Sequence, residues 1–397
     1  MNPTVKDASA SYRRLALIFA AMALALVGAL TASAINSTSA DAKLSKKAKA
    51  AKKERGQVST MTRNLYLGAD LGPAINSTGA VDFISKNGQI LRDVDTNNMP
   101  VRARGLAAEI KQKSPDLVGL QEVALWRTGE ASLDPPTSGN YTASDVRVDN
   151  LAELMKQLNK GKKRYRVVKI QDQFDFEAPA DLDADPGTGA ATLGGEINGR
   201  LTMRDAILAK VGAGIKVKST NSANFETIYQ PVISGIPVSV DRGWVSADVK
   251  VRKSPWFRFV DTHLEAFGEP QIREAQAKEL IAPGGPLRSG KLPAVLVGDL
   301  NSDDNTVKGD DRLAYNALKA GGLVDRSTEK PMSCCLKSSF LTEDQGGRSD
   351  FDHHIDHIMT NKPNRVKRLN SSVTGLKPVN GYWNSDHAGV FSQLRIR

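Results

Sequence analysis

Several polar side chains stand where apolar runs end, which is where strands present groups to a ligand. Asn64 lies in Thr62-Arg63-Asn64-Leu65, and Glu122 follows the run Asp116–Leu120 in Leu120-Gln121-Glu122-Val123. His263 lies in Asp261-Thr262-His263-Leu264, and Asp299 and Asn301 share Gly298-Asp299-Leu300-Asn301. Near the end of the chain come Ile355-Asp356-His357-Ile358 and Ser385-Asp386-His387. Asn and Glu are hard oxygen donors, suited to magnesium, manganese or calcium rather than zinc. Magnesium keeps most of its waters and needs few protein ligands, so Glu122 with Asn64 makes an adequate seat. Two histidines can hold and move protons near neutral pH. A carboxylate behind a histidine fixes its tautomer and favours its protonated form, and Asp356 is the natural partner of His387. Together these groups suit in-line attack of water on a phosphate ester.

Each cluster alone has a blander explanation. An Asp-x-Asn after a strand is commonly a turn, Thr-His-Leu commonly holds a structural histidine, and Gln-Glu is often a solvated strand end. Only the full set in order favours catalysis. The run His353-His354-Ile355-Asp356-His357 also invites a zinc reading. Strand alternation would put His354 and Asp356 on one face and His353 and His357 on the other, which argues against one shared ion.

The elements that must position these residues are short. Val58–Leu65, Tyr165–Ile170, Ala206–Ala209, Val238–Val251, Phe257–Thr262, Ala294–Val297, His354–Met359 and His387–Leu394 read as strands. Helical spacing marks Pro100–Lys113, Asn150–Asn159, Gln271–Ile281 and Arg312–Ala320. Residues 177–199 read as a long loop rich in Ala, Gly, Pro and Asp. Hairpins interleave with helices and no regular βαβ beat emerges, which favours sheets packed face to face with helices outside.

The ordered set of Asn64, Gln121-Glu122, Thr262-His263-Leu264, Gly298-Asp299-Leu300-Asn301, Ile355-Asp356-His357 and Ser385-Asp386-His387 resembles the endonuclease/exonuclease/phosphatase superfamily. That superfamily includes DNase I-like nucleases, abasic-site endonucleases, inositol-phosphate phosphatases and bacterial sphingomyelinases. The resemblance covers about residues 57–397. It implies an α/β, DNase I-like four-layer sandwich: two central mixed β-sheets flanked by helices, with the site at one end. It also implies a metal held by Glu122, Asn64 and Asp386, with Mg2+ expected and Mn2+ or Ca2+ as alternatives. Asp299 and Asn301 would orient water and phosphate, His387 would be an acid/base supported by Asp356, and His263 would stabilise phosphoryl oxygens. Arg204 and Asp205 occupy a place where the family often has polar site residues. A non-catalytic surface-binding module on the same scaffold is the competing class.

The 397-residue chain carries a net charge of +10, but unevenly. Residues 1–56 hold ten Lys and Arg against three acids, leaving residues 57–397 at only +3. A nearly neutral domain steers polyanions weakly, so phospholipid or another small phosphodiester is favoured over nucleic acid. Arg13 and Arg14 precede the apolar run Leu15–Leu30 and the small residues Ala32-Ser33-Ala34, as in a signal peptide. Residues 1–42 are therefore expected to direct secretion, with some likeness to a twin-arginine signal; an uncleaved anchor is the alternative. Residues 43–56 read as a basic tether. Adjacent Cys334 and Cys335 cannot form a disulfide framework and read as local loop structure, bridged or reduced. The turn between two strands carries Arg252, Lys253, Pro255, Trp256 and Phe257, which would suit peripheral contact with a membrane unless the rings face the core. A monomer is expected.

Overall fold

The computed structural model describes residues 55–132, 139–183, 195–288, 290–304, 311–328 and 332–397. The expected export signal and all but the end of the tether lie outside them. One sheet contains β1 (Gln57–Asn64), β2 (Leu117–Gln121), β3 (Leu125–Glu130), β4 (Asp145–Asp149), β5 (Tyr165–Ala180), β6 (Ile197–Lys210), β15 (Val366–Thr374) and β16 (Gly389–Ile396). Its order is β15-β16-β1-β2-β6-β3-β4, with β5 also paired to β6. The second sheet contains β7 (Ile215–Asn224), β10 (Gly243–Val251), β11 (Phe257–His263), β12 (Ala294–Asp299), β13 (Val324–Asp325) and β14 (Asp356–Thr360), in the order β13-β14-β12-β11-β10-β7. A small ribbon joins β8 (Val232–Ile233) to β9 (Ile236–Pro237). The helices are α1 (Gly72–Ile75), α2 (Ala80–Thr96), α3 (Met99–Lys113), α4 (Asn150–Leu158), α5 (Pro270–Ile281) and α6 (Leu313–Ala320).

Both large sheets are mixed: β1 runs parallel to β2 and β11 to β12, while the other pairs are antiparallel. Alternation explains the layers. Val58, Leu117, Ile207, Val390 and Leu394 of one sheet meet Val245, Ala247, Phe257, Phe259, Val295 and Val297 of the other in a single apolar core. The opposite faces are also apolar and take the helices. Met61, Val118, Leu120 and Leu208 pack under α3 and α4, while Val260, Leu296 and Met359 pack under α5 and α6. The result is the four-layer sandwich that the sequence led us to expect.

The sheets approach closely near the site. A Cβ on Gly119 of β2 would come within 2.4 Å of both Asp261 Oδ1 and Val297 Cγ2 on the facing sheet, so a side chain there would push the layers apart. Asp261 fills the gap with polar contacts instead: Gln121 Nε2 donates to Oδ1 at 2.5 Å and Leu120 N to Oδ2 at 3.1 Å.

Two expectations change. The segment 177–199 is not a loop throughout, because β5 extends to Ala180 and β6 begins at Ile197; residues 184–194 lie outside the described residues. The strand expected from Val238 begins at Gly243. Of the two readings of the β10–β11 turn, membrane contact or rings facing the core, Phe257 takes the second. Phe257 is buried between the sheets, Trp256 is half-buried, and Arg252 reaches Asp116 at 2.6 and 2.8 Å. In register, Gly243 faces His263 and Val249 faces Phe257, so the turn is at the far end of β11 from His263. At about 3.3 Å per residue, that is roughly 20 Å away.

Candidate active site

The candidate residues collect at one end of the sandwich, where β1, β2, β11 and β12 finish and β14 and β16 begin. Two buried arginines hold this end together. Arg63 Nη1 donates to the carbonyls of His387 (2.5 Å) and Asn64 (3.1 Å), and Nη2 pairs with Glu109 at 3.2 Å. Arg102 on α3 donates to the carbonyls of Leu65 (2.8 Å) and Asn384 (3.1 Å). Such charge-assisted bonds tie the end of β1 to the segment carrying Asp386 and His387. Glu122 and Asn301 both adopt left-handed backbone, at φ 51° and 46°. Non-glycine residues are costly there, and such strain gathers at functional sites.

Asp299 Oδ2 is the hub. Asn64 Nδ2 donates to it at 3.0 Å, and the Nε2 atoms of His263 and His387 lie 3.5 and 3.6 Å away. Asn64 Nδ2 also donates to Glu122 Oε1 at 2.9 Å, while its Oδ1 accepts from Tyr66 N at 2.8 Å. Asn64 thus bridges two carboxylates. Asp299 Oδ1 accepts from Asn301 N at 2.9 Å. On one side, His387 Nδ1 sits 2.9 Å from Asp356 Oδ2, which also accepts from Ser333 Oγ at 2.7 Å. Asp386 adjoins this group, with Oδ1 accepting from Ser385 Oγ at 3.2 Å.

The two histidines are set for different work. Burial alone would lower the pKa of His387, but the carboxylates of Asp356, Asp299 and Asp386 outweigh it and hold the ring well above its ordinary value. His387 is thereby biased toward its protonated form, with Nε2 facing Asp299. Burial pushes His263 well below its ordinary value, helped by Arg242 and His387. Arg242 Nη1 lies 3.1 Å from His263 Nδ1, and a guanidinium can only donate. Both ring nitrogens face donors, since Asn301 Nδ2 is set against Nε2, and this disfavours a second proton on the ring. Asn301 Nδ2 lies 3.0 Å from Nε2 and donates to Leu264 O at 3.0 Å.

The carboxylates suit a bound cation. Burial, and then Asp386, raise Glu122 to about 7. Burial raises Asp299 to about 6, with Asp356 adding to the shift and His387 opposing it. Glu122 Oε2 already accepts from Leu67 N at 2.7 Å, which fixes the side chain. Buried acids crowded in this way relieve one another by binding a divalent ion, and Glu122, His263 and Asp299 are near enough to share one. Glu122 is the natural oxygen ligand, with Asp386 beside it.

Arg204 and Asp205 make their side-chain hydrogen bonds away from this cluster. Arg204 is committed to structure: Nε donates to Val123 O at 2.8 Å and Nη2 to Asp149 Oδ1 at 2.6 Å, bracing the N-cap of α4. Asp205 is buried behind the site. Oδ2 accepts from Gln173 Nε2 at 2.6 Å, whereas Oδ1 has no hydrogen-bond partner among the described residues. Burial pushes its pKa up to about 7, partly offset by Gln173 and Arg242. A carboxyl raised on folding binds more protons when folded, so its cost is absent below about pH 4 and complete above about pH 7. Asp205→Asn, melted in EDTA, is accordingly expected to raise Tm by about 2–4 °C at pH 8 and not at pH 4. An equal shift at both pH values would rule out this cause.

Sequence reasoning missed Arg242 and Ser333, and placed Cys334 and Cys335 in a loop without linking them to the site. Arg242, paired with Glu265 at 3.3 Å, faces His263 Nδ1 but carries no motif. Ser333 holds Asp356, and the next two residues, the disulfide-bonded Cys334 and Cys335, bring Sγ atoms to 3.5 and 3.8 Å from His387 Nε2. These cysteines are a wall of the site. The alternation argument about the histidine run also fails, because β14 starts only at Asp356. The rings of His354 and His357 come within 4.5 Å of each other, while His353 turns to Asp352.

A carboxylate cluster beside His263 and His387, with Asp356 behind His387, at the end of two facing sheets suits phosphoester hydrolysis. The chain belongs to the endonuclease/exonuclease/phosphatase family, whose pattern matches residues 87–387. No curated protein matches the sequence. Solved structures similar to it include a Bacteroides thetaiotaomicron endonuclease/exonuclease/phosphatase family protein, with 15% identity and a TM-score of 0.47, covering 86% of this chain and 99% of that one. A mannosyl-6-phosphatase from the same organism shows 15% identity and a TM-score of 0.46, covering 85% and 99%. A humanized D. rerio TDP2 shows 18% identity and a TM-score of 0.45, again covering 85% and 99%.

Proposed function

We propose that this protein is a secreted, magnesium-dependent phosphodiesterase whose preferred substrate joins a phosphodiester to an apolar arm, as phospholipids do. The catalytic part rests on the convergence of His263, His387 and Asn64 upon Asp299. A divalent ion seated at Glu122 would polarise the phosphoryl oxygens and offset their charge. Asp299 then accepts a proton from the attacking water, aligned by Asn64 and Asn301. His263 would contact a phosphoryl oxygen, and His387, held by Asp356, supplies charge and gives its proton to the leaving oxygen as that oxygen's bond to phosphorus breaks.

The observation that carries the substrate preference is a cavity of about 180 Å³ beside the site. Glu122, Arg242 and His263 form its polar edge; Phe83, Leu91, Phe176, Leu201, Met203 and Ile233 are among the apolar residues lining the rest. Val232, on the ribbon that walls the cavity, leaves an apolar surface 69% exposed. Apolar surface next to charged catalytic groups suits an amphiphile, with its phosphate at the polar edge and its hydrocarbon within. Nucleic acid would want a basic track, and residues 57–397 carry only +3.

The test compares p-nitrophenyl phosphodiesters bearing methyl, butyl, octyl or dodecyl groups. Each buried methylene is worth about 0.8 kcal/mol, so kcat/KM is expected to rise about fourfold per carbon until the cavity fills. Met203→Glu is expected to abolish that rise while sparing the methyl ester. A flat series, together with ready cleavage of plasmid DNA, would make the protein a nuclease instead.

A further inference from the structure

Near the catalytic centre but separate from it, three side chains meet in the space between β13, β14 and the chain that follows Asn301. His354 is 2% exposed, and its Nδ1 lies 3.0 Å from Asp304 Oδ2. Its Nε2 is buried with no hydrogen-bond partner among the described residues. His357 is fully buried, with Nε2 3.2 Å from the carbonyl of Ser302 and Nδ1 2.9 Å from Asp325 Oδ2. One ligand atom each from Asp325, His354 and His357 lie within 4.8 Å of one another. We infer that Asp325, His354 and His357 bind a zinc-type divalent ion.

The outer contacts carry the argument as much as the three ligands. Metal-bound histidines typically give their second ring N–H to a carboxylate or a backbone carbonyl, which fixes the tautomer and aims the other nitrogen at the ion. His354 has Asp304 in that role and His357 has the Ser302 carbonyl. His354 Nε2 is then the unpartnered nitrogen, and His357 Nδ1 already faces the third ligand, Asp325 Oδ2, at 2.9 Å. An orphaned, buried ring nitrogen is costly in a folded protein, and a cation satisfies it. Two imidazoles and one carboxylate favour zinc over magnesium, with water taking the fourth position. Zinc–ligand bonds near 2.1 Å put ligand atoms about 3.4 Å apart, so closure needs a shift of at most about 1.5 Å.

The site's place in the fold gives it a task. Ser302 and Asp304 directly follow Asn301, while His354 and His357 flank Asp356. An ion held here cross-links the segment carrying Asp299 and Asn301 to the strand carrying Asp356. It braces the catalytic groups without touching substrate.

The experiment strips the full-length protein with a chelator and titrates it with Co2+ or Zn2+ in millimolar Mg2+. His354→Gln and His387→Ala are compared with the unaltered protein, using cobalt d–d absorption and Tm. One equivalent of tight binding, kept in His387→Ala and weakened at least about 100-fold in His354→Gln, is expected. Loss in His387→Ala with retention in His354→Gln would overturn the site, as would no tight binding in the unaltered protein. Should His354→Gln not fold, X-ray absorption of the zinc-loaded unaltered protein decides. Two imidazoles without sulfur support the site. One imidazole, or any sulfur, places the ion at His263 or at Cys334, Cys335 and His387, and refutes it.

Discussion

Hydrolysis is expected to cease when the protein is exhaustively chelated and to return with Mg2+ or Mn2+. Glu122→Gln is expected to lower kcat/KM by about a thousandfold at saturating Mg2+. The magnitude follows from the several kcal/mol that a divalent ion contributes to a phosphoryl transition state. The choice of residue follows from electrostatics. Glu122 is buried, and burial together with Asp386 pushes its pKa up to about 7, so without a cation part of its negative charge is lost at neutral pH. Gln keeps the shape and can still accept from Leu67 N, which Glu122 does at 2.7 Å. The protein should therefore stay folded, and removing one buried acid from an acidic cluster should raise Tm in EDTA. Loss of activity and gain in stability from one substitution separate a metal ligand from a structural carboxylate. Full activity after chelation, or a Glu122→Gln variant that keeps its turnover and Mg2+ dependence, would end the metal assignment.

The residues that gather around Asp299 were more legible in the sequence than their supports, and the reason is physical. Residues such as Glu122, Asp299 and His387 occur at the ends of apolar runs, and that boundary is visible along a single segment. Arg242 acts on His263 across 21 residues and Ser333 acts on Asp356 across 23, so neither role can be seen locally. Helix α2 was missed for a related reason. Its apolar residues Phe83, Ile84, Ile90, Leu91 and Val94 follow helical spacing, but Gly88 interrupts the pattern. A Cβ at Gly88 would fall 1.4 Å from the carbonyl oxygen of Asp181, so the glycine records a tertiary approach rather than a break. At the Arg252–Trp256 turn basic and aromatic residues coincide, which fits an interface or a core edge equally, and only tertiary contacts divide the two. Arg252 is in fact spent on Asp116, and Phe257 on the core.

His387→Ala is expected to lower kcat by about 10²–10⁴, the range for a positioned acid–base group. His263→Ala should cost at least about a hundredfold, but the two losses should differ in pH dependence. His387 titrates with its pKa held well above the ordinary histidine value by Asp356, Asp299 and Asp386, against the opposing effect of burial. If it acts as the acid, activity is full below that pKa and falls as pH rises through it. His263 has its pKa pushed far down by burial and by Arg242, so it stays neutral and should contribute no such limb near neutrality. Asp356→Asn keeps a hydrogen-bond acceptor 2.9 Å from His387 Nδ1 but removes the charge that raises the ring. It is expected to cost about 10–100-fold and to move the alkaline limb toward lower pH. Ser333→Ala removes the 2.7 Å hydrogen bond to Asp356 Oδ2 and the weaker 3.4 Å bond that Ser333 Oγ accepts from Asp356 N, which lets that carboxylate lean harder on His387. Its limb should move the opposite way, toward higher pH, with turnover falling less than tenfold as the carboxylate loses its anchor. The pH–rate profiles of these four variants check the chain from Ser333 through Asp356 to His387. If Asp356→Asn leaves both rate and limb unchanged while His387→Ala is severe, the pairing has no catalytic role and His387 must draw its charge from Asp299 and Asp386 alone.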